Sequence, residues 1–366
     1  MQQDIIYPIA LTLVPTIGDI QARILLEHFE NANAIFKASQ KKLETIEGIG
    51  TIRAKNITSF TNFARAEKEC QFIEKHHIQA ISYKDSAYPN RLRYCYDAPP
   101  LLFYKGNANL NHTHIISIVG TRSPTSYGEW VTQQIVEQLT SHNVIIVSGL
   151  AYGIDVLAHR TAMKNNTSTI GVLAHGFDRI YPSQHRNVAK EMMLQGGLLT
   201  NFMSNTKPDR QNFPKRNRIV AGISDAVIVV ETNEKGGSMI TAELAFDYNR
   251  DVWAVPGRIN DPKSKGCLHL IKNQKAIPFI TADAMVQEMG WMLKEKKQPC
   301  INRSLFIDMT PEEQTIFNVL QKKESTHIDE LFLKSKLSNS VVATSILQLE
   351  LKGIIKSFPG KMYKLV

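Results

Sequence analysis

Apolar positions fall into two rhythms along the middle of the chain. Residues 226–231, AVIVVE, form a short run rich in valine, which predicts a strand buried on both faces of a parallel sheet. Similar runs predict strands at 115–119, 144–148, 169–173 and 251–255, with a weaker one at 198–202. Between them, apolar residues recur at helical spacing and predict helices near 128–141, 154–165, 184–195, 215–223, 237–249 and 267–274. Such alternation specifies an α/β domain, residues 81–293, built on a doubly wound and mostly parallel sheet. Its first part, residues 81–107, reads as a strand and turns leading into that sheet. Ligands on these sheets bind beyond the carboxyl ends of the strands. VGTR, VSGLAYG, LAHG and ETNEKGGS all fall at those ends.

The flanks have a different rhythm. Residues 1–78 carry helical spacing throughout, and Glu47-Gly48-Ile49-Gly50 reads as a helix-hairpin-helix turn, with Val14 to Gly18 as a degenerate second copy. Such turns can present backbone amides to a nucleic-acid phosphate, but the zero net charge of residues 1–80 favours turns that only pack helices. Residues 294–304, with the run KEKKQP, read as a charged linker. Residues 305–366 predict three helices, the first opening at Thr310-Pro311-Glu312-Glu313, then a hairpin with Pro359-Gly360 at its tip. That is a winged-helix order. Its expected recognition helix, Ser338 to Leu351, holds no Lys or Arg and one acid, Glu350, so it is poorly suited to gripping phosphates.

Charge sharpens the picture once it is located. The chain of 366 residues has a net charge of +9. The excess is +5 in residues 81–293, +3 in 294–304 and +1 in 305–366. A basic central domain fits a polyanionic partner, although a solvated surface would look the same. The four cysteines are scattered without a C-x-x-C, which argues against zinc and against a disulfide framework. No run is long enough to span a bilayer, and the first residues lack a basic start or a cleavable apolar core, so the cytoplasm is the expected compartment. The glycine turn GTRSPTSYG does not meet the dinucleotide pattern, and no P-loop lysine follows Gly176, so NAD and ATP hydrolysis are both disfavoured. No cofactor is expected.

Candidate chemistry concentrates around 205–238, where five bases and one acid lie between Asn205 and Arg218. Arg210, Phe213, Lys215, Arg216 and Arg218 interleave cations with one aromatic, the pattern of a single-strand binder. Phe213 before Pro214 fits a core position equally well, and Arg216 and Arg218 are alternatively braces for the turn around Asn217. Gly237 and Ser238 open a helix after a strand, an anion site made of backbone amides. Arg122 follows Gly120-Thr121 off another strand, placed to fork a phosphate. Gly149 and Gly153 predict a tight turn with Asp155 capping the next helix, and His159 beside it as a packed histidine rather than an acid–base partner. No G-x-S-x-G, H-E-x-x-H or carboxylate cluster supports hydrolysis.

The residues FPKRNRIVAGIS (213–224), the GGSMITA run (236–242) and AVPG (254–257), with IVGTRSPTSYG (118–128), IVSGLAYGIDVLAH (146–159) and TIGVLAHGFDRIYP (169–182), resemble the DNA-processing protein A family (DprA, also called Smf) in unbroken order over about residues 80–280. That resemblance implies a Rossmann-like central domain flanked by an N-terminal helix-hairpin-helix (SAM-like) domain and a C-terminal winged helix. It implies a non-catalytic protein of natural transformation that binds incoming single-stranded DNA, displaces or passes single-strand-binding protein and loads the RecA recombinase. By the same resemblance the aromatic slot at Phe213 lies in the DNA pocket, and His185 and Arg186, after Tyr181-Pro182, stand where the family has another basic contact, which makes Arg186 a DNA-binding candidate. The region Gly266 to Ala276 resembles the family's dimerisation surface, which makes Leu268, Leu270, Ile271 and Ile277 interface candidates; ordinary core is the alternative. Leu268 stands where the family commonly has Asn, and Lys275 where Gly is common. Two other readings stay open. GGSMITAE also resembles nucleotide-processing enzymes such as the cytokinin-activating phosphoribohydrolases, which would use Glu243 chemically, and residues 305–366 would suit a transcription regulator.

Overall fold

The computed structural model describes residues 2–291 and 309–366, so the linker expected at 294–304 lies outside the described residues. Two compact units emerge, Met1–Phe279 and Ile280–Val366.

The first unit begins with six helices, α1 (Gln2–Leu13), α2 (Asp19–His28), α3 (Ala32–Lys37), α4 (Gln40–Glu44), α5 (Gly50–Thr58) and α6 (Ala64–Lys75). The turn before α5 uses two left-handed glycines, Gly48 at φ +83° and Gly50 at φ +59°, a backbone that other residues adopt only with strain. Arg53 donates to Gly48 O at 2.9 Å and to Thr16 O at 3.2 Å, and Asn56 donates to Pro15 O at 3.1 Å. The two hairpin turns expected from the sequence are therefore tied to each other, and the cation nearest them is engaged in that tie.

The sheet follows. Its strands and helices are β1 (Gln79–Ser82), α7 (Asn90–Arg93), β2 (Leu101–Gly106), β3 (Ile115–Val119), α8 (Ser126–Leu139), β4 (Ile145–Ser148), α9 (Ile154–Lys164), β5 (Thr169–Val172), α10 (Arg186–Gln195), β6 (Gly197–Thr200), α11 (Asn212–Ile223), β7 (Ala226–Val229), α12 (Gly237–Asp247), β8 (Asp251–Ala254), α13 (Lys265–Lys272) and β9 (Ile277–Pro278). Strand order is β1-β2-β6-β5-β4-β3-β7-β8-β9. Strands β3 to β9 pair in parallel, while β2 runs antiparallel to both β1 and β6. From β3 the chain winds one way through β4, β5 and β6, then returns to the other side of β3 with β7. The switch point lies between β3 and β7, where open α/β sheets bind ligands.

The valine-rich and isoleucine-rich runs are buried along their whole length, as a sheet covered on both faces requires. One continuous core joins the helical part to the sheet, running through Leu25, Ile35, Leu43, Ile57, Tyr88, Ile115, Val147, Val229 and Leu270. Helix α11 begins at Asn212, three residues before the predicted start, so Phe213, Lys215 and Arg216 lie in its first turns and not in a preceding turn. Pro214 does not prevent this, because the first amides of a helix have no intrahelical partner to lose.

The second unit contains α14 (Ala282–Glu288), α15 (Pro311–Leu320), β10 (Thr326–His327), α16 (Ile328–Ser335), α17 (Asn339–Leu351), β11 (Ile355–Phe358) and β12 (Met362–Leu365). Thr310 and Glu313 form the capping box that opens α15, and Lys352 pairs with Glu313 at 2.6 Å. Ile316, Leu331, Val342, Ile346 and Ile355 form its small core. Strand β10 pairs with β12 and completes a three-stranded wing sheet of which the sequence showed only the hairpin.

Candidate nucleic-acid interface

At the switch point the structure gathers nine of the sequence-predicted site residues around one cleft of about 310 Å³: Gly120, Thr121, Arg122, Gly149, Phe213, Arg216, Asn217, Gly237 and Ser238. The loop after β3 is held rigidly. Glu231, 2 % exposed just beyond β7, accepts the Thr125 amide at 2.9 Å as well as the Thr125 hydroxyl, and its carbonyl accepts the Thr121 amide at 2.7 Å. Thr125 in turn caps α8 through Gly128 N at 3.1 Å. Arg122 is thereby carried on a loop pinned at both ends, while its side chain stays exposed.

Across the cleft, α11 presents Phe213 and Arg216 from the same side. The Arg122 guanidinium lies 5.3 Å from the Phe213 ring centroid, a cation–π contact. Arg216 points inward and is only 5 % exposed. Its Nη1 donates to Val172 O at 3.1 Å, and its Nε has no partner. Burial lowers the pKa of this guanidinium, with Arg122 acting in the same direction and Asp155 opposing. Gly149 is a steric necessity here, because a Cβ at that position would stand 1.4 Å from Arg216 Nη1. Asp155 is not the helix cap that the sequence led us to expect. The N-cap of α9 is Gly153, and Asp155 turns back to accept the amides of Gly149 at 3.1 Å and Ala151 at 3.4 Å. Burial raises its carboxyl pKa and Arg216 opposes that rise.

The third wall is the start of α12. Its N-cap, Gly236, supplies no side-chain bond to the free amides. Among the described residues, beyond its chain neighbours and its own helix backbone, nothing lies within 4 Å of where a Gly237 Cβ would be, so the glycine leaves open room at a helix N-terminus. Asn217 donates to Gly237 O at 3.1 Å and joins this wall to α11. Two guanidinium groups, a helix N-terminus and one aromatic ring converge on a single space, which suits an anionic ligand with a planar, apolar part.

Other predicted residues stand elsewhere. Arg210 and Lys215 are exposed on and just before α11 but do not line the cleft, and Arg186 is exposed at the start of α10. Glu243 is exposed on α12 and is absent from the cleft lining. Leu270 is 0 % exposed and belongs to the core of its own chain, so it is corrected from interface anchor to core; Leu268 and Ile271 are half-buried and Ile277 is 38 % exposed on an edge strand. Two rings escaped the sequence reading. Tyr152 and Tyr181, 41 % and 43 % exposed, extend the aromatic side of the cleft, and the Tyr181 ring lies 6.1 Å from that of Phe213. Tyr152 donates to Gln184 at 2.8 Å, and the Tyr181 amide donates to His175 Nε2 at 3.1 Å. Each lies within a quoted motif, Tyr152 in 146–159 and Tyr181 in 169–182, and their exposure was the missing signal.

His159 is fully buried, with Nδ1 2.6 Å from Thr169 Oγ1. Burial, then Arg216 and His185, lower its pKa from 6.5 to about 3. The unfolded chain therefore takes up a proton near pH 6.5 that the folded chain refuses until about 3. This contribution is complete above the unfolded value and is lost as pH falls through that window, by up to ~1.4 kcal/mol per unit. Urea unfolding compared at neutral pH and at about pH 4 should show a smaller acid loss for His159→Gln than for the wild type. An equal loss would place the acid sensitivity elsewhere.

Comparison with known proteins establishes the family and the fold. The family model for DNA recombination-mediator protein A matches residues 79–290, a helix-hairpin-helix model matches 9–68 and a DprA winged-helix model matches 307–361. Protein Smf of a Synechocystis species is 32% identical over 395 residues, covering 98% of each chain. The DNA processing protein DprA of Bacillus subtilis is 41% identical over 213 residues, covering 58% of this chain and 71% of its own. Among solved structures, DprA of Streptococcus pneumoniae superposes with a TM-score of 0.57 at 31% identity, covering 74% of this chain and 98% of that one. DNA processing protein A of Helicobacter pylori, reported for a unique single-stranded DNA binding mode, superposes at 0.52 with 29% identity, covering 58% and 95%. With its central domain matched throughout and a relative aligned end to end, the chain belongs to the DNA recombination-mediator protein A family.

Proposed function

We propose that this protein binds single-stranded DNA in the cleft between β3 and β7, protects incoming strands during natural transformation, and passes them from single-strand-binding protein to the RecA recombinase. Its compartment in this reading is the cytoplasm, and it acts as a homodimer without catalysis of its own. The observation that carries the reading is the convergence of Arg122, Arg216 and the open N-terminus of α12 on one space beside Phe213. Cations and amides suit the phosphates, and a half-buried ring on the cleft wall suits a base. Tyr181 and Tyr152 supply further stacking surface along the same wall. Arg210, Lys215 and Arg186 are exposed outside the cleft, where they would attract the strand on either side of the bound nucleotide. The absence of Lys and Arg from α17, which carries Glu350, supports a preference for single strands over duplex.

A gel shift with single- and double-stranded oligonucleotides of equal length should show tighter binding to the single strand, and equal or tighter duplex binding would reverse the reading. Arg122→Ala should weaken binding and flatten the log–log salt dependence by about 0.7. Tyr181→Ala should lose about 1–3 kcal/mol without changing the slope. Phe213→Ala should do both, because the ring that would stack on a base is also the platform on which Arg122 rests.

The exposure of Glu243 away from the cleft weighs against nucleotide hydrolysis. Purified protein should release no product from nucleoside monophosphates or ATP. Turnover abolished by Glu243→Gln would instead establish an enzyme.

A dimer surface would use Ile277 on the edge strand, with Leu268 and Ile271 beside it. Ile240 and Phe246, 40 % and 43 % exposed on α12, add apolar surface, and the Lys275 ammonium lies 5.9 Å from the Phe246 ring. Ile277→Glu should give a folded monomer in analytical ultracentrifugation, with poor RecA loading. A folded Ile277→Glu dimer would put the interface on another face.

A further inference from the structure

The segment from Ser204 to Arg218 carries Arg210, Phe213 and Lys215, and the N-terminal helices hold it at both ends. At its start, Glu69 of α6, 2 % exposed, accepts the Ser204 amide at 2.8 Å and the Ser204 hydroxyl at 2.5 Å. Arg65, one helical turn earlier, donates to Ser204 O at 2.7 Å and to Glu69 at 2.8 Å. At its end, Arg218 donates to the carboxylate of Asp19, the first residue of α2, to Asp97 O at 2.8 Å and to Lys215 O at 3.0 Å. All three nitrogens of that guanidinium are engaged and its side chain is only 11% exposed, so Arg218 is not free to meet a phosphate. Between the two grips, Lys207, Asp209, Arg210, Gln211, Pro214 and Lys215 are exposed, while on α11 Arg216 and Asn217 add their bonds to Val172 O and Gly237 O, each at 3.1 Å. Asn205 N reaches Asp178 at 2.7 Å, Thr206 O accepts Gly176 N at 3.2 Å, and Asn212 donates to Lys207 O at 3.1 Å.

We propose that the N-terminal helical domain is a positioning domain for the strand-binding segment, acting through Asp19, Arg65, Glu69 and Arg218, none of which touches the strand. The two anchors are chemically suited to the task. Removing the Glu69 carboxylate leaves two Ser204 donors without their acceptor in a buried place, which costs more than the bond itself contributes. The Asp19–Arg218 pair is a charge-assisted bond in a partly buried setting, where solvent screens it less than on the surface. If either anchor opens, the segment samples other conformations, and the apparent dissociation constant rises as the inverse of the fraction still correctly placed. Arg210, Phe213 and Lys215 would then be present but poorly aimed.

This inference rests on the single-strand reading above, and the test separates the two. Asp19→Ala, Glu69→Ala and the double variant of the full chain are titrated with oligo-thymidylate across a salt series, and hydrogen–deuterium exchange is followed over residues 204–218. Each single variant should bind about three- to tenfold more weakly, and the double variant by roughly the product. The salt slope should match wild type, because no phosphate contact is lost. Amides of the segment should exchange faster. Asp19→Glu, which keeps a carboxylate within reach of Arg218, should stay within about twofold of wild type. Wild-type affinity in a folded double variant overturns the proposal, as does a changed salt slope. If the double variant fails to fold, Asp19→Asn is judged on the same two readouts and decides the matter alone. If wild-type protein itself does not bind oligo-thymidylate, the single-strand reading fails, while the exchange data still show whether the helical domain orders the segment.

Discussion

A guanidinium buried beneath a cleft is the constraint around which the central domain is arranged. Among the described residues Arg216 has one hydrogen bond, to Val172 O, and its Nε has no partner, although it is only 5 % exposed. A buried cation is costly unless something nearby compensates for its lost hydration. Here the compensation is spread out. Asp155 acts on it electrostatically, the carbonyl at the end of β5 accepts one N–H hydrogen bond, and Gly149 removes the side chain that would occupy its space. An anion arriving from solvent would complete the set.

The loop bearing Arg122 shows the complementary solution. It keeps its cation exposed and invests in backbone ties to Glu231 and Thr125. One arginine is buried and its partners are fitted around it; the other is exposed, rests on a ring and is carried by a fixed loop. The Phe213 ring connects them, since Arg122 lies over the ring and Arg216 follows one turn later on the same helix. Stacking and charge are therefore not independent at this site, which sequence spacing alone could not reveal.

Much of this was legible in the chain. The strands of the parallel sheet announced themselves as unbroken runs of Val and Ile because both of their faces are covered, and the glycine motifs marked the strand ends where a ligand could approach. What remained hidden depended on helical phase and on distant partners. Arg216 and Lys215 are adjacent and similar, yet one is buried and the other exposed, because the face of α11 was set only once its start at Asn212 was known. Leu270 and Ile271 divide in the same way on α13. Asp155 looked like a cap because its position fits one, but a glycine had taken that place and freed the carboxylate to fold back. Arg218 and Asp19 are 199 positions apart, and no local pattern could pair them.

The antiparallel strand β2 has one more consequence, for the order in which the chain can become a protein. On one edge its neighbour is β1, made just before it; on the other it is β6, which emerges from synthesis only after β3, β4 and β5 have been made. Tyr104 of β2 donates to Gly196 O at 2.9 Å, and Gly106 and Gly197 sit too close to admit side chains, so this seam has one register and tolerates little slippage. A growing chain must therefore hold its first hundred or so residues beside an unfinished sheet until β6 appears, since pairings of large sequence separation close late. Residues 204–218, which anchor on the helical domain through Glu69 and Asp19, leave β6 only a few residues later and so are made within the same short stretch of synthesis.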